Sequence, residues 1–560
     1  MAAFLSEVYD GSLCCTSGFA TSCWLIVLLG NHRVNASLVR SSWIAGVDRR
    51  ARRVVAVFLA ASCASAPPEA SPPPNVLFIA VDDLRPALGA YGDSIALSPN
   101  IDRLARDGAI FLDAHAQQAV CNPSRASLMT GLRPDSLRVW DLDTDFRVTT
   151  PGVVTLPQFF MRHGYHALSV GKIYHNVLPD TASWSEPELH VDGFPFDPDA
   201  VYHHRDNLAI QEQRKAAIIR AGTQAHSVDK YGLWYLKANA TESVDAPDSV
   251  YYDGAQTNLA LRTLDRLKRD GKPFFFGIGF YRPHLPFNAP QRYWDLYDRN
   301  AIPLPSPAHP PDGAPIMAMS TMRELRGYAD FANAVHPFDG SLTEAEIRRL
   351  RHGYYASVSY IDAQVGRLLD HLDSLGLAEN TIVVLWGDHG YKIGELNGWA
   401  KMTNYMIDTH SPLLVRAPGR IRPQTRVSQM VEFVDVYPTL AELAGLPVPA
   451  ELQGTSAVSL LKDPTIPWKP AIFSQFLRSG MWVAPDSQPY MGYSVLTDSL
   501  HYVKWINWDT RREVARELYD RRADPDETRN LATLPSSAAI LDSMERLRVA
   551  GWRAARPRAR

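Results

Sequence analysis

The sequence predicts an α/β fold, with a doubly wound, mostly parallel sheet followed by a smaller C-terminal unit of antiparallel sheet and helix. Three continuous apolar runs predict strands that are buried on both faces, and they cover residues 76–81, 274–278 and 381–386. Helical patterns precede the second and third runs, and alternation of strands with helices is typical of a doubly wound sheet. Short strand patterns dominate after Gly445, which predicts the second unit.

The remaining elements follow from periodicity and from chain breaks. The predicted helices of the main unit run from Pro99 to about Gly108, over 258–268 and over 356–375. In the C-terminal unit, strands are predicted at 493–496, 501–504 and 517–520, and a closing helix at 538–549. Residues 177–246 are rich in Pro, Asp, His and aromatic residues without a clear period, so we expect long surface excursions there, over the functional site.

The first 74 residues are predicted to lie outside the fold. Residues 47–63 contain a basic segment, a short apolar run and Ala61-Ser62-Cys63, which together are typical of a secretory signal. The run is too short to stay in a bilayer as a spanning helix. Its end resembles a bacterial lipobox, although the preferred Leu stands one position too early. We therefore expect export to the bacterial cell envelope or periplasm, with a lipid anchor at Cys63 or without one; a buried structural helix is the remaining alternative.

The resulting domain organisation has five parts. Residues 1–46 are expected to be untranslated or disordered, 47–63 to form the signal, and 64–74 to be a flexible linker. Residues 75–445 would form the main α/β domain and 446–560 the C-terminal subdomain.

Composition and cysteine usage exclude some classes. The formal net charge of −3 offers no basic surface for nucleic acid. Four of the five cysteines precede residue 64, so only Cys121 remains in the main body, which can form no internal disulfide. A lone cysteine is most often a small buried apolar residue.

Two acidic pairs follow predicted strands. Asp82-Asp83 comes after the first apolar run, and Asp388-His389 comes after the third. An Asp in such a position is often only a turn or helix-capping residue. In doubly wound sheets, however, ligands bind at the carboxyl ends of the strands, so both pairs would meet in one crevice. Their carboxylate oxygens suit Ca²⁺.

The motif around Cys121 carries the most specific signal. Cys121-Asn122-Pro123-Ser124-Arg125, with Thr130-Gly131 a few residues later, resembles the sulfatase signature. The resemblance extends over most of residues 75–532, including the segment 517–531. It implies an alkaline-phosphatase-like fold and the oxidation of Cys121 to formylglycine by a maturase, a transient partner.

The chemistry that the resemblance implies has a physical reason. A sulfate monoester is an anion and repels an anionic nucleophile, whereas a hydrated aldehyde offers two hydroxyl groups on one carbon. One hydroxyl would attack sulfur to give a sulfated enzyme, and deprotonation of the other would release sulfate. A serine could perform the first half but has no second hydroxyl.

The resemblance also implies which residues form the site. The ligands of one Ca²⁺ ion would be Asp82, Asp83, Asp388, His389 and the modified Cys121. A cation would lower the pKa of the attacking hydroxyl and neutralise sulfate oxygens. Arg125 would hold the formylglycine hydroxyl.

The other implied residues surround the sulfate. Lys172 and His175 would contact the nucleophile and the sulfate, with His175 as the base that collapses the sulfated adduct. His284 and Lys401 would form the sulfate-binding pair, and one of them would protonate the leaving alcohol. Outside this context, a single Lys or His is usually a surface residue or a hydrogen-bonded core residue.

Local matches resemble the iduronate-2-sulfatase branch of the family, which implies a 2-O-sulfated uronic acid of a polysaccharide as substrate. The Asp388-His389 pair is the variant of that branch. This chain departs from it at Tyr391, where the branch has Trp, and within 394–399. We expect Tyr391, Glu395 and Asn397 to lie by the sugar pocket.

Three alternatives stay open. The chain could be a phosphonate monoester or phosphodiester hydrolase of the same superfamily. It could be a catalytically silent, glycan-binding surface protein, although no residue of the implied site is missing from the sequence. It could also be a chain that is never matured in its host.

Overall fold

The structure is a computed structural model that describes residues 72–175, 178–192, 201–221 and 237–557. The expectations for residues 1–71, including the signal and Cys63, lie outside the described residues. Residues Pro72–Arg560 form one compact unit, and the domain boundary near residue 445 stays a prediction. No described helix combines the length and the apolar character that crossing a membrane requires.

Strands fall into one large sheet, one C-terminal sheet and three two-stranded pairs. In chain order, they are β1 (Asn75–Val81), β2 (Ala109–Phe111), β3 (Ala114–His115), β4 (His166–Gly171), β5 (Thr241–Val244), β6 (Phe274–Phe280), β7 (Phe287–Pro290), β8 (Thr381–Gly387), β9 (Lys392–Ile393), β10 (Trp399–Ala400), β11 (Leu413–Arg416), β12 (Thr425–Val427), β13 (Val431–Glu432), β14 (Ile472–Arg478), β15 (Tyr490–Leu496), β16 (Leu500–Asn507) and β17 (Glu513–Asp520). The large sheet has seven strands in the order β12-β2-β11-β8-β1-β6-β4. Its four central and edge strands β8, β1, β6 and β4 are parallel, and only β11 runs against its neighbours.

Helices cover both faces of the large sheet. They are α1 (Pro99–Asp107), α2 (Cys121–Thr130), α3 (Pro134–Leu137), α4 (Phe146–Thr149), α5 (Leu156–Arg162), α6 (Arg205–Ala221), α7 (Tyr252–Asp270), α8 (Gln291–Trp294), α9 (Arg323–Arg326), α10 (Glu344–Ser374), α11 (Met406–Thr409), α12 (Val436–Leu443), α13 (Val458–Lys462) and α14 (Ala538–Ala554). Strand β1 shows why both faces need cover, because alternate side chains enter different cores. Leu77 and Ile79 pack with α7 and α10, whereas Val76 and Phe78 pack with α2, α5 and α12. The doubly wound α/β prediction is confirmed.

The C-terminal sheet is an antiparallel meander in the order β14-β15-β16-β17. Helix α14 packs on one face, where Leu541 and Met544 meet Val495 and Leu518. The other face contributes Trp505 and other side chains to a core shared with the main body. This unit was predicted correctly, except that β14 was missed.

Two sequence expectations need correction. Helix α10 begins at Glu344 rather than near residue 356, since Thr343 and Glu346 form a capping box that starts it. The segment 177–246 is not all irregular, because it contains α6 and β5. Helix α6 shows no clear apolar stripe, and Leu208 and Ile219 on it are 42% and 61% exposed, which hides its period.

Candidate active site

The site is assembled at the carboxyl ends of four adjacent parallel strands. The residues that follow β8, β1, β6 and β4 include Asp388, Asp82, His284 and Lys172. The backbone N–H groups of Asp82, Asp388 and Lys172 still donate to carbonyls of the sheet, at 3.1, 3.3 and 2.9 Å. The sheet ladder thus continues to these residues and fixes where their side chains start, as expected for a ligand site in a doubly wound sheet.

A glycine pair lets β4 and β6 approach closely at this edge. Gly171 has φ +74°, and a Cβ there would lie 2.2 Å from the carbonyl oxygen of Gly279. A Cβ on Gly279 would lie 2.1 Å from the carbonyl carbon of Lys172. Only glycines fit both positions, and the sharp turn sends the Lys172 side chain back toward Asp82.

Asp83 adopts a left-handed backbone conformation, with φ 58°. Its N–H donates to Asp388 Oδ1 at 3.0 Å, and its carbonyl accepts from the Tyr354 hydroxyl at 2.9 Å. These contacts hold a conformation that costs free energy in most residues and that tends to occur at functional sites.

Cys121 is the first residue of α2, and every residue of this helix is buried. Its Sγ lies 3.5 Å from His389 Nε2. Burial, together with the nearby Asp82 carboxylate, raises the pKa of the Cys121 thiol well above its ordinary value. The unmodified side chain is therefore a neutral thiol and a poor nucleophile.

Arg125, one turn further along α2, ties the two acidic pairs together. Its Nη2 donates to Asp82 Oδ1 at 2.8 Å and its Nε to Asp388 Oδ2 at 3.0 Å. Nη1 donates to the backbone carbonyls of Lys172 and Ile173. All five residues are buried, so the guanidinium fixes the relative positions of these groups.

Two lysines bind the aspartates from opposite sides. Lys172 Nζ lies 2.6 Å from Asp82 Oδ2, and Lys401 Nζ lies 2.8 and 2.9 Å from the two oxygens of Asp83. Burial alone would raise the pKa of Asp82, but Lys172 and Arg125 hold it well below its ordinary value. Burial raises the pKa of Asp83 well above its ordinary value, because its like-charged neighbours outweigh Lys401.

His284 and a residue that the sequence did not reveal complete this side. Glu324 Oε1, on α9, lies 2.9 Å from Lys401 Nζ and 3.2 Å from His284 Nε2. His284 Nδ1 lies 2.6 Å from the carbonyl oxygen of Leu285. Burial and then Lys401 lower the pKa of His284 well below its ordinary value. Glu324 stands in a stretch without a motif, so nothing in the sequence pointed to it.

His175 lies on the Lys172 side of the site. It is buried and lines a small cavity with Lys172, Glu188 and His190. Every residue expected at the site is thus buried, and the structure joins nine of them into one network of contacts. These are Asp82, Asp83, Cys121, Arg125, Lys172, His284, Asp388, His389 and Lys401.

The donor atoms fit a metal ion. The ligand atoms of Asp83, Cys121 and His389 lie within 4.8 Å of one another, as do those of Asp82, Cys121 and Asp388. Burial lowers the pKa of His389, which favours the neutral, metal-binding form of the ring. Crowded carboxylate oxygens with one imidazole suit a hard divalent cation.

The expected sugar-pocket residues lie differently from the prediction. Tyr391 has no exposed surface and stacks on Tyr354, with ring centroids 5.6 Å apart, so it supports the site from below. Asn397 donates to two backbone carbonyls, at 2.7 and 2.8 Å. Glu395 lies 2.9 Å from Arg85 and 3.2 Å from Arg351, which hold its pKa at about 2 although burial opposes this. These residues stabilise the loop, and the prediction that they face a sugar was wrong for Tyr391 and Asn397.

Known proteins resemble this chain along nearly its whole described length. A family model described as "Sulfatase" matches residues 74–446, and one described as "N-sulphoglucosamine sulphohydrolase, C-terminal" matches residues 394–550. Human iduronate 2-sulfatase is 33% identical over 520 residues, covering 82% of this chain and 90% of that protein. The mouse protein is 32% identical over 533 residues, with 84% and 93% covered. A sulfatase of Formosa agariphila is 30% identical over 472 residues, with 82% and 83% covered.

Solved structures share the fold. A phosphonate monoester hydrolase from Silicibacter pomeroyi superposes with a TM-score of 0.64 at 23% identity, covering 85% of this chain and 94% of that one. A protein in complex with its substrate D-glucosamine-2-N,6-O-disulfate gives 0.64 at 20% identity, with 85% and 97% covered. A 2-O glycosaminoglycan sulfatase gives 0.60 at 22% identity, with 85% and 91% covered. At these identities the likeness establishes the alkaline-phosphatase-like fold alone.

Proposed function

The chain belongs to the sulfatase family and is a sulfuric ester hydrolase, and from that premise we propose that it desulfates a sugar, with a formylglycine at position 121 as nucleophile. One observation carries the proposal: Cys121 begins a buried helix and lies among Asp82, Asp83, Asp388 and His389, as the maturation motif requires. A hydrated aldehyde at this position would supply the two hydroxyl groups that the reaction needs.

We propose that the metal is calcium, held by the four Asp and His ligands and by an oxygen of the modified residue 121. Bound there, the ion would acidify the attacking hydroxyl and neutralise sulfate charge. Arg125 keeps Asp82 and Asp388 in their relative positions.

The cationic residues of the chain divide the remaining work. Lys172 and His175 lie on one side, where they would contact the nucleophile and the sulfate. His175 would accept the proton of the second hydroxyl, which releases sulfate and restores the aldehyde. On the other side, Lys401 and His284 would bind the sulfate, and one of them would donate a proton to the alcohol oxygen as its bond to sulfur breaks.

As substrate we propose a 2-O-sulfated uronic acid or a related sulfated sugar of a polysaccharide, released from the chain end. The support is the similarity to iduronate 2-sulfatases at 32–33% identity over more than four-fifths of this chain. A structural relative also holds a sulfated glucosamine as its substrate. The transient maturase, export and the anchor at Cys63 are part of the same proposal and rest on sequence alone.

A substrate panel tests this proposal. The matured protein would be assayed with sulfated mono- and disaccharides from heparin, dermatan and algal polymers, with aryl sulfates, with choline sulfate and with a phosphonate monoester. We expect the highest kcat/KM on a 2-O-sulfated uronate. A far higher kcat/KM on aryl or choline sulfate would reject the sugar, and one on the phosphonate would favour the alternative hydrolase.

A further inference from the structure

Glu324 is a buried carboxylate that the proposed mechanism does not use. Its side chain is 8% exposed and lies between Lys401 Nζ at 2.9 Å and His284 Nε2 at 3.2 Å. A negative charge beside a site for an anionic substrate weakens substrate binding. A carboxylate in this place therefore needs another reason to be there.

The two neighbours of Glu324 are otherwise incompletely fixed. An ammonium group has three donors, and Lys401 directs two contacts to Asp83 and a further one to Glu324. His284 Nδ1 donates to the carbonyl of Leu285, since a carbonyl can only accept, and this leaves Nε2 facing Glu324. One carboxylate oxygen thus sets the distance between the ammonium and the imidazole.

The backbone that carries Glu324 is itself anchored. Glu324 lies in the single-turn helix α9, which follows Met322 in the left-handed conformation, φ 53°. The same segment is held further back, where buried Arg478 of β14 donates to the carbonyls of Met317 and Ala318 at 2.8 and 3.2 Å. The C-terminal sheet therefore supports the position of this carboxylate.

We propose that Glu324 is a positioning residue, which holds Lys401 and His284 at the distance that sulfate binding and proton donation to the leaving alcohol require. This inference rests on the proposed roles of Lys401 and His284. A purely structural ion pair would give the same contacts, so the experiment must measure proton donation rather than folding alone.

Leaving-group dependence separates the two explanations. A nitrophenolate leaves without help, whereas a sugar alkoxide needs a proton in the transition state. Loss of a positioned acid should therefore slow sugar sulfates much more than 4-nitrophenyl sulfate. General damage to the site should slow both alike.

The experiment compares Glu324→Gln, Glu324→Ala and Glu324→Asp with the parent enzyme on 4-nitrophenyl sulfate, phenyl sulfate and the best sugar sulfate. We expect Glu324→Gln to lose less than about 10-fold in kcat/KM on the nitrophenyl ester and about 100-fold or more on the sugar. Glu324→Asp should recover part of the difference, since it restores the charge at a shorter reach. Glu379→Gln, which changes an exposed carboxylate, is the matched control and should behave as the parent.

Equal losses on all three substrates, or no loss, would overturn the inference. Glu324→Gln retains the shape of the side chain, and it decides the result if Glu324→Ala does not fold. His284→Ala and Lys401→Ala provide the reference. If neither shows leaving-group dependence, the proposed roles of these two residues fail; if they show it and the Glu324 variants do not, only the inference about Glu324 fails.

Discussion

Two buried clusters of charge in this molecule use the same residue types for different ends. The first is the active-site cluster, in which the carboxylates of Asp82, Asp83, Asp388 and Glu324 meet Arg125, Lys172 and Lys401. The second, here the Glu432 cluster, joins Glu432 and Asp435 to Arg133 and Lys469. Within these groups, carboxylates outnumber Lys and Arg in the first and equal them in the second.

The difference shows what distinguishes a site from a structural ion pair. In the Glu432 cluster, Lys469 lies 2.7 Å from both carboxylates, and backbone N–H groups of Phe473 and Thr455 bind further oxygens. In the active-site cluster, like charges crowd Asp83 and raise its pKa. A balanced cluster is complete by itself, whereas the unbalanced one has charge left for a cation.

Loss of the nucleophile should have the largest effect. Cys121→Ala should lower kcat by about 10⁵-fold or more, the order seen when an enzyme loses its nucleophile, while the fold stays intact. The small side chain replaces another small one, and Sγ has only one polar contact, with His389. Turnover assays with circular dichroism check this, and substantial residual turnover would contradict the assignment of Cys121.

Removal of one metal ligand should come next. Asp82→Asn should reduce kcat/KM by about 10³-fold or more, in line with the several kcal/mol that a Lewis acid supplies. Calcium affinity, measured by calorimetry, should fall with it. Asp370→Asn is the matched control, because Asp370 pairs only with Arg103 at the surface. Full activity of the metal-stripped parent enzyme would rule out the metal assignment.

The Glu432 cluster should respond in the opposite way. Arg133→Ala leaves a buried carboxylate uncompensated, and we expect the free energy of unfolding to fall by about 3–5 kcal/mol with kcat/KM per folded molecule unchanged. Arg103→Ala, which breaks a surface pair, should cost less than about 1 kcal/mol. Denaturant titrations measure both, and a large drop in kcat/KM for Arg133→Ala would break the distinction between the clusters.

The smallest effect concerns acid stability. Burial would raise the pKa of Glu432, but Arg133 and Lys469 lower it to about 2. Because the pKa is lower in the folded state, this group stabilises the fold above its unfolded pKa, about 4.3, and the stabilisation is lost as the pH falls toward 2. Glu432→Gln should flatten the unfolding free energy between these pH values. An unchanged slope would show that Glu432 is not held ionised.

Sequence reasoning located the active-site cluster but not the Glu432 cluster. Asp82 and Asp388 could be predicted because each follows a long apolar strand, and parallel strands end at one edge. Glu432 follows only a two-residue strand, and no motif surrounds it. Its partners are distant in the chain, so nothing local announced a buried ion cluster.

The same limit explains what was missed within the site and the fold. Glu324 reaches Lys401 from a one-turn helix, and a single turn has no period that a sequence can show. Tyr391 was expected to face the sugar because it replaces a family residue, yet a substitution says nothing about the direction of the side chain. The capping box at Thr343 and Glu346 could have placed the start of α10 correctly.

The most direct test of the central claim is the mass of the peptide that contains Cys121, taken from protein produced together with a formylglycine-generating maturase. The account predicts that an aldehyde, and its hydrate, replace the thiol in most molecules, and that sulfatase activity rises in proportion to that fraction. Full sulfatase activity in protein whose Cys121 is wholly an unmodified thiol would contradict it.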